Sequence, residues 1–298
     1  MSRQRRILHG FVLLVATGAA PSGAQTIIPN EMHKSLTFEL HSVRDNVQLY
    51  PGDPQYLFRL ELRPVGSLPP RIDFSNYAQV ATLRVRDLTL FEATEPLPGD
   101  EEEKGDEDLF VETEKRVPDS QGWNVRLMPA APTEFVLQCE GGKGVFDFTD
   151  MQVQAVHLIA DTSDVRIDFN RPNSMQLQRF KVTVTGGSLE LHDFLNARPK
   201  LATLQLASSK CDVELTGKPF AGEGEIFFEG VPARMHLTVP HGIGLRLDGP
   251  ASIITRFDAP NMRRVESSLA TVDYDTQRCR LHLYFSQTIP KLQVDWSE

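Results

Sequence analysis

The chain has 298 residues, 24% charged and 8% aromatic, with 31 Lys and Arg against 40 Asp and Glu for a net charge of −9 at pH 7. An acidic balance of this size argues against binding nucleic acid or an anionic membrane surface through bulk charge. Three cysteines, an odd number, cannot all pair within one chain.

Residues 1–24 read as a secretory signal. Arg3, Arg5 and Arg6 make a basic start, Ile7 to Ala20 an apolar run of 14 residues, and Ser22-Gly23-Ala24 puts small residues before a cleavage point after Ala24. The run is too short to span a bilayer comfortably. The remainder, 25–298, carries 28 Lys and Arg against 40 Asp and Glu, a net of −12. It is expected to be one domain with no transmembrane span, secreted across the inner membrane to the periplasm or beyond.

Strand patterns begin at Leu36 to Leu40 and Val47 to Tyr50, with a turn at Asp45-Asn46. They continue at Tyr56 to Leu62 and Ala81 to Leu90. An acidic loop is expected at about 92–118, where Asp100 to Asp108 holds seven acids in nine residues. Such a block repels itself and buries nothing. It lacks the alternating spacing and terminal Glu of a calcium loop, so no cation site is assigned to it. Strand pattern returns at Trp123 to Leu127.

From Phe135 to Leu247 one unit recurs: an apolar strand, a turn with Gly, Ser or Asp, a second apolar strand, then a looser return. Aligning Phe146, Val165, Leu189, Val213 and Met235 gives steps of 19, 24, 24 and 22 residues. Within each strand apolar and polar residues alternate, as half-buried strands do. Leu158, Leu206 and Phe228 precede Val165, Val213 and Met235 by seven residues, whereas Val184 precedes Leu189 by five and Leu137 precedes Phe146 by nine. Gly141-Gly142 and Gly186-Gly187 suit the corners. One unit cannot bury its apolar face alone, so copies are expected to stack in parallel around a continuous core. A β-sandwich, the rival fold, would not by itself explain the fixed order and spacing. Beyond Leu247 come Ser252 to Thr255, Arg280 to Phe285 and Lys291 to Trp296, with Trp296 as a plug on the last turn. Arg263 to Ala270 is the one helical candidate.

The segments Glu140 to Met151, Asp164 to Asn173, Gly186 to Asn196 and Leu237 to Leu247 resemble successive turns of the toast-rack β-solenoid family. That family includes adhesin-like domains and is similar to C-terminal domains of proteins responding to cell-wall-active antibiotics. The resemblance implies an all-β parallel β-solenoid with repeats of about 20–24 residues and capped ends, in the cell envelope, with a regulatory, adhesive or scaffolding role. It carries no catalytic residues to transfer.

Cys139 and Cys211 fall three turns apart, on the order of 14 Å along the axis, too far for a disulfide, which needs Cα atoms within about 7 Å. Cys139, Cys211 and Cys279 are therefore expected to be unpaired and buried, with Cys211 and Cys279 in similar columns. The polar positions Asp147, Arg166, Glu190, Glu214 and His236 are expected to form one exposed column. Acids of adjacent turns there make a carbohydrate-cleaving β-helix the alternative reading. His192, His236 and His282 lie outward without metal-ligand spacing. Gly141, Gly142 and Gly144 are expected to be turn glycines rather than a phosphate loop. Phe148, Phe169, Phe180, Phe194, Phe220, Phe227 and Phe228 are expected to stack in the core. No catalytic, cofactor or metal residue is assigned. The function expected is non-enzymatic: a rigid repetitive surface for an unidentified envelope protein or glycan.

Overall fold

The computed structural model of the chain describes residues 25–29, 33–53, 55–63, 70–77, 79–87, 122–128, 131–257 and 259–297. The expected signal sequence and the acidic run lie outside them. The strands are, in chain order, β1 (Gln25–Pro29), β2 (Ser35–Val43), β3 (Asn46–Pro51), β4 (Tyr56–Arg63), β5 (Arg71–Tyr77), β6 (Val80–Arg86) and β7 (Gly122–Leu127). Then follow β8 (Thr133–Glu140), β9 (Lys143–Asp147), β10 (Val153–Asp161), β11 (Asp164–Asp168), β12 (Arg179–Thr185), β13 (Ser188–His192), β14 (Leu201–Ala207) and β15 (Lys210–Glu214). The C-terminal set is β16 (Gly222–Glu229), β17 (Arg234–Pro240), β18 (Gly244–Asp248), β19 (Met262–Val265), β20 (Ser268–Thr271), β21 (Cys279–Phe285) and β22 (Leu292–Ser297).

They form two sheets, neither closed. Sheet I has ten strands in the order β1-β4-β7-β3-β9-β11-β13-β15-β17-β22, and sheet II has twelve in the order β19-β20-β18-β21-β16-β14-β12-β10-β8-β2-β6-β5. From β7 to β18 the chain passes alternately between the sheets. Neighbours are parallel throughout the middle, from β7 to β22 in sheet I and from β6 to β18 in sheet II. This departs from the antiparallel pairing of the rival sandwich. Alternate residues of both sheets meet in one apolar core, because side chains on a strand point to opposite faces by turns.

The register is more regular than the sequence alignment. Leu40, Leu137, Leu158, Val182, Leu204, Phe228 and Phe285 form one column of sheet II. Val47, Gly144, Val165, Leu189, Cys211, Met235 and Leu292 form the matching column of sheet I. In every pass the second residue lies seven after the first. The apparent spacings of nine and five were therefore slips of two: Phe146 pairs with Ile167, and Val184 pairs with Ala160 rather than with Leu158. A slip of two keeps every side chain on its face, whereas a slip of one would expose the core.

The corner between the two strands repeats as closely. Arg44, Gly141, Thr162, Gly186 and Ser208 all have positive φ, between 51° and 69°. Each backbone N–H donates to the pass stacked on it: Gly141 to Asp161, Thr162 to Thr185, Gly186 to Ala207, at 2.8 to 2.9 Å. The next residue faces inward at close quarters. A Cβ on Gly187 would lie 2.1 Å from the Ser163 carbonyl oxygen, so glycine is required there. Gly144 is not a turn residue: it sits inside β9, and a Cβ would strike the Phe146 ring at 2.7 Å.

The opposite edge is held by aromatics and amides. Phe135, Phe148, Phe169, Phe194 and Phe180 pack ring to ring with centroids 4.6 to 6.2 Å apart for Phe135–Phe148, Phe148–Phe169, Phe169–Phe194 and Phe180–Phe194. Asn173, 5% exposed, donates Nδ2 to the Val153 carbonyl at 2.8 Å and accepts from the Val153 N–H at 3.2 Å. Asn196, also 5% exposed, donates to the Phe169 carbonyl at 2.7 Å and accepts from the Lys218 N–H at 2.8 Å. Each amide thus satisfies backbone groups that the return loop would otherwise bury unpaired.

At both ends the stacking order departs from chain order. β2 and β3 lie directly on β8 and β9, with β4 to β7 placed beyond them, and β21 enters between β16 and β18. Apart from β22, the end strands are antiparallel: β1 on β4 and β4 on β7, β5 on β6, and β18, β20 and β19 in succession. The helical candidate 263–270 is instead a hairpin, β19 and β20, turning at Glu266 with φ 55°. Ser252 to Thr255, read as a strand, belongs to a short helix, α1 (Ala251–Ile254), and the 3-10 turn after it. Pro250 at its N-cap position fixes the entry, and Ile253, Ile254 and Phe257 are buried there. Trp296 is half-buried on the edge strand β22, stacked on His241 at 5.4 Å.

Candidate functional site

The outer face of sheet I carries its polar residues in columns about 4.8 Å apart from strand to strand. The single column expected from sequence is in fact two. Arg166, Glu190, Asp212, His236 and Gln293 align, with Val145 at one end. Asp147 aligns instead with Asp168 and His192, and Glu214 follows on the next strand. Asp147 and Glu214 are three strands apart, on the order of 14 Å. Asp147 accepts the Thr149 N–H at 2.9 Å and so closes its own turn. The three acids Asp147, Glu190 and Glu214 are not brought together.

Two histidines organise the acids that are. His192 places Nδ1 2.9 Å from Glu214 and Nε2 3.8 Å from Glu190. His236 places Nδ1 3.2 Å from Asp212 and Nε2 2.7 Å from Asp295. Burial pulls the His236 imidazole down, but its hydrogen bonds to Asp295 and Asp212 outweigh this and raise its pKa above 6.5. The bond from His236 holds Asp295 below the usual carboxylate range. The sequence reading leaves out Asp212 and Asp295; the repeat spacing locates Asp212 once Cys211 is aligned with Leu189 and Met235, and Asp295 only once Leu292 joins that column.

Beside this column runs another, at the start of the strands. Lys210 pairs with Arg234, and the Met235 N–H donates to the Lys291 carbonyl, which sets Lys291 next to Arg234. All three side chains are exposed. A shallow depression lies there, lined by Ser188, Lys210, Cys211, Asp212, Arg234 and His236 among others.

On sheet II, Phe227 is not a core residue. It faces outward and stacks on Tyr284 of the neighbouring strand at 4.4 Å and 5°. Tyr284 also stacks on His282 at 3.9 Å, and its Oη lies 2.8 Å from His282 Nδ1. His282 Nε2 meets Asp248, which also accepts from Ser268. Burial raises the Asp248 carboxyl, but these bonds prevail and hold it low. The three histidines thus lie in separate places, and among the described residues no group of three or more His, Cys, Asp or Glu is set to hold a metal ion.

Cys139, Cys211 and Cys279 are free thiols, all buried. Cys139 and Cys279 lie on sheet II and Cys211 on sheet I, so the last two do not share a column. Burial pushes the Cys139 thiol up to about 11 and raises Cys211 and Cys279 as well. At the corner near Gly142, burial and then the Asp87 carboxylate push Asp45 up to about 7. Among the described residues no helix is long and apolar enough to cross a membrane.

No protein-family profile matches the chain, and no curated protein matches it. One solved structure does, that of a "putative cell adhesion protein" from Clostridium sporogenes, at 11% identity and a TM-score of 0.39 over 93% of this chain and all of the other. A likeness that distant carries no argument about the present chain.

Proposed function

We propose that the chain is a non-enzymatic cell-envelope protein of the toast-rack type. Its two sheets are the broad faces of one β-solenoid, secreted to the periplasm or cell surface, displaying a repetitive face to a protein or glycan partner. The observation that carries this reading is the in-register outer face of sheet I. From β9 to β22 its side chains stand in columns one strand spacing apart. Such a face can meet a repeating ligand at several places without ordering a loop, and so avoids the entropy cost of ordering loops on binding. Its acids support the same reading: Glu214, Asp212 and Asp295 reach across neighbouring strands to histidines, which joins passes together.

The test is to incubate the protein with envelope polysaccharides while following both binding and the release of reducing ends. Saturable binding without chain shortening is the expected result. Shortening that disappears in Glu190→Gln/Glu214→Gln would overturn the reading and favour a carbohydrate-active β-helix.

A further inference from the structure

We propose that Asp45 and Asp87 form a one-proton clasp that fastens β6, and the hairpin β5–β6 with it, to the core in acid and loosens it as the pH rises. The clasp belongs to the end of the stack and is independent of the binding role proposed above.

Two inward columns converge on this pair. One runs along sheet II, where Leu206, Val184, Ala160, Cys139 and Ser42 stand in line on β14, β12, β10, β8 and β2. Parallel pairing of β2 with β6 matches His41 with Arg86, and the Asp87 N–H donates to the His41 carbonyl at 3.1 Å. The next residues in step are Ser42 and Asp87, so Asp87 ends that column. The other column runs along the corner, through the residue after each positive-φ position: Ser209, Gly187, Ser163, Gly142 and finally Asp45. Asp45 is 8% exposed and Asp87 9%.

The corner position has a known use one pass at a time. Ser163 Oγ donates to the Cys139 carbonyl at 3.0 Å, reaching into the column that Asp87 ends. Asp45 stands in the same place in its own pass, and its side chain is hydrogen-bonded to that of Asp87. A serine always has a hydrogen to give, whereas a carboxyl has one only when protonated. Two buried carboxyls in contact resist a second charge, through desolvation and mutual repulsion. One proton therefore serves both: the O–H of one donates to the carboxylate of the other. Burial first, then the Asp87 charge and the bond to it, push Asp45 up to about 7.

Other charges nearby are turned elsewhere. On β2 and β6, His41 meets Glu140 and Arg86 meets Glu39. Arg44 and Lys143 are exposed, and Asp164, past Gly142, accepts from the Ser188 hydroxyl. The Cys139 thiol on β8, pushed up to about 11, is neutral. Among the described residues the charge acting on Asp45 is that of Asp87. When the proton leaves for solvent, a second negative charge is set against the first. The folded value lies above the unfolded value of about 3.8, so the clasp's contribution is full below about 3.8 and is lost as the pH rises through about 7.

The test is amide hydrogen exchange on the full chain from about pH 5 to about pH 8, corrected for the intrinsic pH dependence of exchange. Protection of the β6 amides next to Asp87 is expected to fall by up to about tenfold per pH unit toward neutrality, the slope of one proton, while the β14 amides stay level. Asp45→Asn, and Asp45→Ser with the side chain found at Ser163 and Ser209, should level the β6 profile. Carboxyl carbon-13 shifts give a reading on the unaltered chain: one aspartate still protonated at about pH 6 is expected, well above the ordinary range. All aspartates ionised there, a level wild-type profile, or a slope that persists in both variants overturns the clasp. Protection restored in alkali by added calcium would overturn it too, since a bridging cation would then hold the pair.

Discussion

Truncating Asn196 tests whether the amides at the return edge hold the passes together. Its side chain is 5% exposed and ties the Phe169 carbonyl to the Lys218 N–H, at 2.7 and 2.8 Å. Asn196→Ala removes both partners at once. A buried polar group left unpaired costs about 1–3 kcal/mol. The bond to the Phe169 carbonyl is buried, while the Lys218 N–H is only partly buried and can reach water. The expected loss is therefore about 2–4 kcal/mol, read as a lower urea midpoint at constant slope. Asn196→Asp should cost more at neutral pH, because a carboxylate cannot donate to the Phe169 carbonyl and must be buried charged. Burial raises such a group's folded pKa above its unfolded value, so the penalty is full at high pH and fades as the pH falls through the folded value. The exposed control Thr185→Ala should stay within about 0.5 kcal/mol. If Asn196→Ala falls within the control's range, or Asn196→Asp shows no recovery in acid, the amide does not hold this edge.

Gly187→Ala should destabilise by more than about 2 kcal/mol in the same unfolding assay, since φ is +62° and the new Cβ would lie 2.1 Å from the Ser163 carbonyl oxygen; a neutral result would contradict the corner geometry. His236→Gln should flatten a pH dependence. The raised His236 pKa contributes stability below about 6.5 that is lost as the pH rises through the folded value, and the lowered Asp295 contributes above about 3.8 and is lost in acid. The wild-type advantage should then be larger at mildly acidic pH than in alkali, and a constant difference would refute the clamp. Thiol titration with a disulfide reagent should find none of the three cysteines reactive in the native protein and all three after denaturation, given their burial. Deleting residues 165–188 removes one pass and joins Asp164 to Leu189, residues whose neighbours stay in register. The shortened chain should still fold with a strand-dominated circular dichroism spectrum, because a stacked array needs only nearest-neighbour contacts; an aggregated product would count against the repeat.

Strands and faces were legible because alternation reports burial directly, and Val165, Leu189 and Met235 fell in one column as read. Register within the repeat was harder for a physical reason. The inward position of one pass is Gly144 and of another Cys211, while bulkier Phe146 and Val213 lie two residues on. Both choices keep the apolar face inward, so hydrophobicity cannot separate them, and the invariant seven-residue link emerges only once small residues are allowed as anchors. That two-residue slip placed Glu190 and Glu214 in one column and hid Asp212 beside His236. The buried asparagines were visible in principle, since Asn173 and Asn196 recur 23 residues apart, but nothing in one sequence distinguishes an amide turned inward from one in solvent. Stacking order at the ends follows from a different kind of constraint. Parallel neighbours are equivalent wherever two passes share pattern and link length, so local pattern alone cannot say that β3 meets β9 rather than β4. What decides it is which strands can reverse direction and close the core, and that is a property of the whole stack rather than of any single repeat.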